Sequence, residues 1–321
     1  MSVLPASAEN IEKFADMISS GEAVAFPTET VYGLGVDAGN DEAVAKIFEL
    51  KGRPQFNPLI VHVRDLAQAE RLGVFSPLAR SLAKAHWPDA LTLVVPRSSD
   101  NPSHNEVSLL ASAGLPSLAL RVPAHPVAQE LLAAVQCPLA APSANKSGHL
   151  SPTQAAHVAK DFPNLPTLDG GVCSKGLEST IIGCLEDEPV LLRRGSLDAA
   201  ALEETLGHKL SYLAEVDSQT AQLAPGRLAR HYAPQAGLRL NAETVEQDEA
   251  LLAFGKDAPS CENLCLNLSP LGNLIEAAAN LFSHLHELDT TATRIAVMPI
   301  PNEGLGAAIN DRLERAAAAS K

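Results

Sequence analysis

A chain of 321 residues exceeds what one hydrophobic core ordinarily supports, so two domains are expected. Its formal net charge of -14, from 38 acidic and 24 basic residues, repels polyanions and disfavours stable RNA or membrane-surface binding, whereas small anions in a locally cationic pocket remain compatible. Aromatic residues make up only 4% against 46% hydrophobic, so the core is aliphatic and no stacking platform for single-stranded nucleic acid is expected.

In chain order, the first helix has Ser7 as its cap, Ile11, Phe14, Ala15 and Ile18 on one face and Gly21 as its stop. Strand Ala23 to Phe26 follows. A Gly33-Leu34-Gly35 turn, a helix capped by Asn40 or Asp41 with Val44, Ile47 and Phe48 inward, and a buried strand Leu59 to Val63 then read as a β-α-β unit. Further helices start at Asp65, at Ser76-Pro77 and at Ser151-Pro152, where proline takes the first helical position. Between them lie strands Leu91 to Val95, Ser117 to Val122, Pro138 to Pro142, Ser179 to Leu185 and Val190 to Arg193. The fold class is therefore α/β: a large mixed twisted sheet covered by helices on at least one face.

Composition changes after Gly195. A short helix from Asp198 to Leu206 leads to a Pro-, Gly- and Arg-rich stretch, Ala224 to Gly237, that reads as a linker. Beyond it, short strands alternate with a helix from Leu271 to Leu288 and a final helix from Leu305 to Ala319, implying a small parallel three-layer, Rossmann-like α/β domain. The expected division is 1–196, a catalytic domain; 197–236, a linker acting as a lid; and 237–321, the C-terminal domain.

Several chemistries are excluded or weak. Gly255-Lys256 is followed by Asp257, so there is no phosphate-binding P-loop. Gly33 to Ala38 matches a dinucleotide fingerprint, but no acidic residue stands at the end of the next strand to hold a ribose. Nothing resembles a hydrolase nucleophile elbow. The five cysteines are odd in number and scattered, without the ligand pairs of a zinc site, and read as reduced core thiols of a cytoplasmic protein. No apolar run approaches a membrane span.

Residues Phe26 to Val63 carry the strongest signal. Lys51-Gly52-Arg53 by themselves would be solvated charges at a helix end, yet Pro54 and Pro58 stiffen the segment and Asn57 offers an amide, which suits a phosphate clamp. Arg121 lies inside the apolar strand SLALRV and must be ion-paired or face a cavity, where its planar guanidinium suits a carboxylate. His62 alone is as well read as a core histidine. Ser143-Ala144-Asn145 and Ser179-Thr180 stand at strand ends, where α/β proteins build pockets.

FPTETVYGLG, KGRPQFNPLIVHV, LRVPAHP, APSANKSGHLSPT, GLESTI and LLRRG together, with RHYAP at Arg230 to Pro234, resemble the YrdC-type threonylcarbamoyl-AMP synthases in their longer, two-domain form. The resemblance implies formation of threonylcarbamoyl-AMP and pyrophosphate from L-threonine, bicarbonate and ATP with Mg²⁺, in the cytoplasm. A separate tRNA threonylcarbamoyl transferase complex would use the product to modify the adenosine beside the anticodon. By the same resemblance, Thr30, His62, Arg121, Ala141 and Ser179 form the threonine site. Arg53, Asn57, Ser117, Ser143, Ser151, Arg193 and the linker residue Tyr232 form the ATP site, with Lys51 and Arg53 catalytic beside the phosphates. No metal ligand is assigned.

Two positions depart from the family: Ile181-Ile182-Gly183 ends without the usual aspartate, and the linker begins APGRLARHYAP without the usual methionine and basic-aromatic pair. Tyr232, following Arg227 and Arg230, would close over the pocket when ATP supplies a ring face and phosphates. The rivals are an RNA-binding module of the same fold, opposed by the charge, and a carbamoyl-adenylate-forming domain of hydrogenase maturation, opposed by the absence of its accompanying acylphosphatase and zinc-finger segments.

Overall fold

The computed structural model describes residues 3–54, 56–98, 106–212 and 232–319. β1 (Val3–Pro5), α1 (Ala8–Ser19), β2 (Val24–Phe26) and β3 (Gly33–Asp37) open the chain, and α2 (Asp41–Lys51) leads to β4 (Ile60–His62). α3 (Leu66–Leu72) and α4 (Pro77–His86) precede the antiparallel pair β5 (Leu91–Pro96) and β6 (Ser117–Arg121). Then come α5 (Pro126–Val135), β7 (Leu139–Ala140), α6 (Ala155–Asp161), β8 (Thr167–Asp169), β9 (Thr180–Gly183), β10 (Val190–Arg193), α7 (Ala199–Leu206) and β11 (Ser211–Tyr212). These strands form one mixed sheet of 11, in the order β1-β8-β2-β3-β7-β4-β6-β5-β9-β10-β11.

The period-two alternation of the strands decides which side chains meet which cover. Val36, Val61, Val95 and Ile182 point to one face and pack with Ile47, Leu72, Leu82 and Leu202 of α2, α3, α4 and α7. On the opposite face, α1 and α5 cover Val24, Phe26, Leu139 and Leu168. Next to them a strip made of Ile60, Ala119, Val94, Ile181 and Leu192 contains no helical residue. That strip borders the pocket.

Two local expectations fail for stated reasons. Gly33-Leu34-Gly35 is not a turn but the start of β3, paired antiparallel to β2 with Phe26 opposite Gly33. A Cβ on Gly35 would lie 2.6 Å from the Phe26 ring, so the glycines clear space for that ring. The parallel β-α-β relation consequently joins β3 to β4, with β7 inserted between and antiparallel to both. Nor does Ser151-Pro152 start a helix: α6 begins at Ala155, because the Ser151 hydroxyl donates to Glu178 at 2.6 Å instead of capping. α5, the edge strands β1 and β11, and β8 between β1 and β2 were not foreseen.

The second sheet is four parallel strands in the order β12-β15-β13-β14, formed by β12 (Gly237–Arg239), β13 (Glu249–Ala253), β14 (Cys265–Asn267) and β15 (Arg294–Val297). α8 (Leu274–Thr291) and α9 (Leu305–Ala319) pack together on one face, and Ala242, Val245 and Cys261 from connecting segments supply the third layer. α8 starts three residues later than the pattern suggested, since the Asn273 side chain caps the Ile275 and Glu276 amides. Its core is continuous with Val31, Leu150 and Leu177 of the first domain. Of the expected linker 197–236, α7 and β11 instead belong to the first domain, while 213–231, including Arg227 and Arg230, lies outside the described residues.

Of the cysteines, Cys173 and Cys184 are buried, whereas Cys137 and Cys261 are half-buried and Cys265 is exposed, so the core-thiol expectation holds for two of the five. No helix among the described residues is long and apolar enough to cross a membrane.

Candidate active site

The open strip of the sheet and Tyr232 border a cleft lined by polar and charged side chains from both ends of the strip. His62 and Arg121 are register partners on β4 and β6, and Thr92 on β5 is opposite Arg121, so alternation sets all three on one face in one row. Arg121 donates through Nη2 to Glu29 Oε1, and Glu29 Oε2 accepts from the Ala124 amide at 3.0 Å. Arg121 Nε has no partner among the described residues. The two readings of Arg121 therefore both hold: it is ion-paired and it lines the pocket.

Thr28 donates to the Val31 carbonyl at 2.6 Å, which uses its only hydrogen. In the 2.7 Å contact between the two hydroxyls Thr30 is then the donor, leaving Thr30 Oγ1 as an acceptor at the pocket wall. Burial, then the nearby Arg121, depresses the His62 pKa to about 3. Its imidazole is neutral, and Nδ1 is buried without a partner. This end of the cleft offers a cation, a neutral imidazole and a hydroxyl acceptor, which suits a small zwitterion carrying a hydroxyl.

The other end is more cationic. α2 ends at Gly52, whose left-handed φ of 58° turns the chain so that Lys51 and Arg53 both point inward and are buried. Arg53 donates to the carbonyls of Asn57 (3.2 Å) and Pro58 (2.9 Å), and Arg193 donates to the Ser179 carbonyl at 2.8 Å and to its hydroxyl at 3.2 Å. Burial, then Arg193, lowers the Arg53 pKa to about 10, which leaves it charged. Ser143 and Ser179 complete the wall. Both guanidiniums donate to backbone carbonyls, with the Glu178 carboxylate acting on Arg193, and together they present cationic groups to an anion.

Lys51 differs from its expected place. Its Nζ donates to the Ser143 carbonyl at 2.6 Å and to that of Asn145, behind the loop rather than in the cleft, and burial with Arg53 nearby pushes its pKa well down. Asn57, Ser117 and Ser151 likewise stand behind the lining: Asn57 supports Arg53, Ser117 opens β6 and Ser151 holds Glu178. Thr30, Arg53, His62, Arg121, Ala141, Ser143, Ser179, Arg193 and Tyr232 do face the cleft together.

Tyr232 is 1% exposed, with φ of 65°, and packs on Phe282 of α8 at 5.5 Å between ring centroids. The expectation that its order waits on a nucleotide is not what the structure has: the second domain buries it. Sequence reasoning also missed Glu29, Glu178 and Arg312 as pocket or supporting groups. An isolated carboxylate in FPTET and in GLEST was a visible signal for the first two. For Arg312, in a charge-rich helix, there was none.

A mixed sheet with an open cationic face, backed by a second domain of parallel strands, defines a two-domain class, and two family models match it in tandem. The first, described as "Telomere recombination", covers residues 16–195, and the second, "Threonylcarbamoyl-AMP synthase, C-terminal domain", covers 197–318. The chain is 37% identical to a threonylcarbamoyl-AMP synthase of Bacillus subtilis (96% of this chain, 92% of the relative). It is 39% identical to one of Pyrococcus abyssi (94% and 92%). The crystal structure of P. abyssi Sua5 complexed with L-threonine superposes with a TM-score of 0.87 at 36% identity, covering 98% of this chain and 96% of that one. The chain belongs to the threonylcarbamoyl-AMP synthase family.

Proposed function

We propose that this protein condenses L-threonine, bicarbonate and ATP into threonylcarbamoyl-AMP and pyrophosphate, for threonylcarbamoyladenosine formation in tRNA. The observation that carries the reading is one cleft with two unlike ends: Thr30, His62 and Arg121 at one, Arg53 and Arg193 at the other. The groups at the first end suit threonine and the cations at the second suit phosphates. Arg121 would take the amino-acid carboxylate with its unpartnered Nε edge, and neutral His62 and Thr30 would read the hydroxyl and amine.

The threonine amine adds to bicarbonate and water leaves, giving the carbamate; its oxygen then attacks the α-phosphorus, the new O–P bond forming as the bond from that phosphorus to the oxygen bridging the β-phosphate breaks, and pyrophosphate leaves. This needs in-line placement and charge neutralisation, not a protein nucleophile. Arg53 and Arg193 supply charge, Ser143 and Ser179 supply hydroxyls, and Ala141 leaves room beside them. Lys51 acts by holding the Ser143–Asn145 loop. Asn57, Ser117 and Ser151 act one layer back. Magnesium would enter as the ATP complex, since no group of three or more metal-ligating side chains exists among the described residues, and Asn145 Oδ1 is a buried oxygen without a partner.

The product's mixed anhydride must then be handed to a tRNA-modifying transferase. Within 197–236, the part after β11 would serve as the linker between the domains, since α7 and β11 pack with the first sheet. The reading is tested by pyrophosphate release with each substrate omitted in turn. Turnover should require L-threonine and bicarbonate together, and equal turnover with valine or with no amino acid would refute it.

A further inference from the structure

We propose that Arg312, on α9 of the second domain, is a positioning residue for the nucleotide end of the cleft. It fixes the ionised carboxylate of Glu178 and the ring of Tyr232, and through Glu178 the hydroxyl of Ser151. This rests on the assignment of ATP to that end.

The Arg312 side chain is 1% exposed. Its Nε donates to Glu178 Oε2 at 3.2 Å, while Glu178 Oε1 accepts from Ser151 Oγ at 2.6 Å. The guanidinium carbon lies 5.4 Å from the Tyr232 ring centroid, within cation–π range. On its other side, Nη1 donates to Asp311 at 2.9 Å, and Arg315 holds Asp311 at 2.8 Å. The fork is thus set by α9 and aimed at two residues that line the cleft, Glu178 and Tyr232.

Docking of the domains does not explain the charge. Val31, Leu150 and Leu177 already join the apolar core of α8 and α9, and a buried ion pair adds little stability over apolar packing. Glu178 does explain it. A carboxylate in a pocket for a polyanion repels the ligand, and of the two cations that act on Glu178, Arg312 and Arg193, only Arg312 donates to it at 3.2 Å. Arg312 neutralises Glu178 while keeping it an acceptor, so the second domain sets the electrostatics of the first domain's site.

The full chain is tested as Arg312→Met and Arg312→Lys, with pyrophosphate release measured against ATP and L-threonine separately and threonine binding measured by calorimetry. R312M should raise the KM for ATP by about tenfold or more, from loss of a buried charge partner, with threonine affinity within about twofold. Adding Glu178→Gln to R312M should recover most of that loss, because no unpaired carboxylate remains. An unchanged KM for ATP in a variant with native circular dichroism overturns the proposal. So does an equal loss for ATP and threonine that Glu178→Gln does not relieve, the mark of a merely structural pair. If R312M does not fold, R312K, which keeps charge but loses the planar fork, is read the same way. Lack of wild-type turnover would instead refute the assignment of function.

Discussion

Glu29 and Arg121, 92 residues apart in the chain, form a buried ion pair in which the carboxylate is also held by the Ala124 amide. The guanidinium is therefore oriented before substrate arrives, and one edge is left over for a second carboxylate.

Arg121→Ala should weaken threonine binding by about 2–4 kcal/mol, since a bidentate contact is lost in a desolvated site, with ATP affinity nearly unchanged. It should also destabilise the fold by about 3–5 kcal/mol, because Glu29 is left buried and unpaired. Calorimetry and denaturant melts check the two effects separately. Unaltered threonine affinity in the folded variant would reduce Arg121 to a structural cation.

Lys51→Met removes the ammonium donor to the Asn145 carbonyl and to the Ser143 carbonyl, the latter keeping a bond from the Asn145 amide at 3.0 Å. Stability should drop by about 1–3 kcal/mol per unsatisfied group, and the KM for ATP should rise through the displaced Ser143. Wild-type kinetics with a lowered melting temperature would make Lys51 a strut without functional consequence.

His157 and His286 stack across the domain boundary with ring centroids 3.8 Å apart, near Lys160, Asp161 and Asp289. Burial depresses their pKa values from 6.5 to about 3 and about 4, respectively. The folded state resists protons that the unfolded chain accepts, so stability is full above pH 6.5 and falls as the pH drops toward 4. Melting temperature against pH should decline through this window in the wild type and less steeply in His286→Gln. Parallel curves would exclude the pair as the cause.

Gly195 sits where a Cβ would lie 2.3 Å from the Ser179 carbonyl carbon and 2.4 Å from the Glu178 oxygen. Gly195→Ala must displace the backbone that carries both site residues, and misplacement on the order of 1 Å can cost about a hundredfold in rate. The prediction is a matching loss in kcat/KM with a native far-ultraviolet spectrum. Retained activity would show that the segment yields without moving Ser179.

What the sequence disclosed and what it hid have separable physical causes. Caps and apolar periodicity are local, so Ser7, Asn40, Asp65 and Ser76 mark helix starts correctly. Arg53, His62 and Arg121 stood out because charged or polar groups in apolar or proline-stiffened segments need a reason. Gly33 and Gly35 misled because a glycine made necessary by a distant ring looks like one made necessary by a turn. Ser151 misled similarly, its hydroxyl being taken by Glu178 from elsewhere in the chain. At Gly183, where the family resemblance implies that an aspartate is common, the space is filled by Leu192, whose side chain would lie 3.1 Å from a Cβ there, so a larger residue would need Leu192 to shift.

Glu178 and Arg312 are separated by 134 residues. During synthesis the ribosome adds all of them after the carboxylate before its cation exists, and the apolar partners of Val31, Leu150 and Leu177 are likewise delivered late. A chain that has completed only its first sheet therefore lacks the Arg312 bond to Glu178 and leaves Val31, Leu150 and Leu177 without their apolar cover. The site is therefore complete only once α9, the last helix of the chain's described residues, has docked.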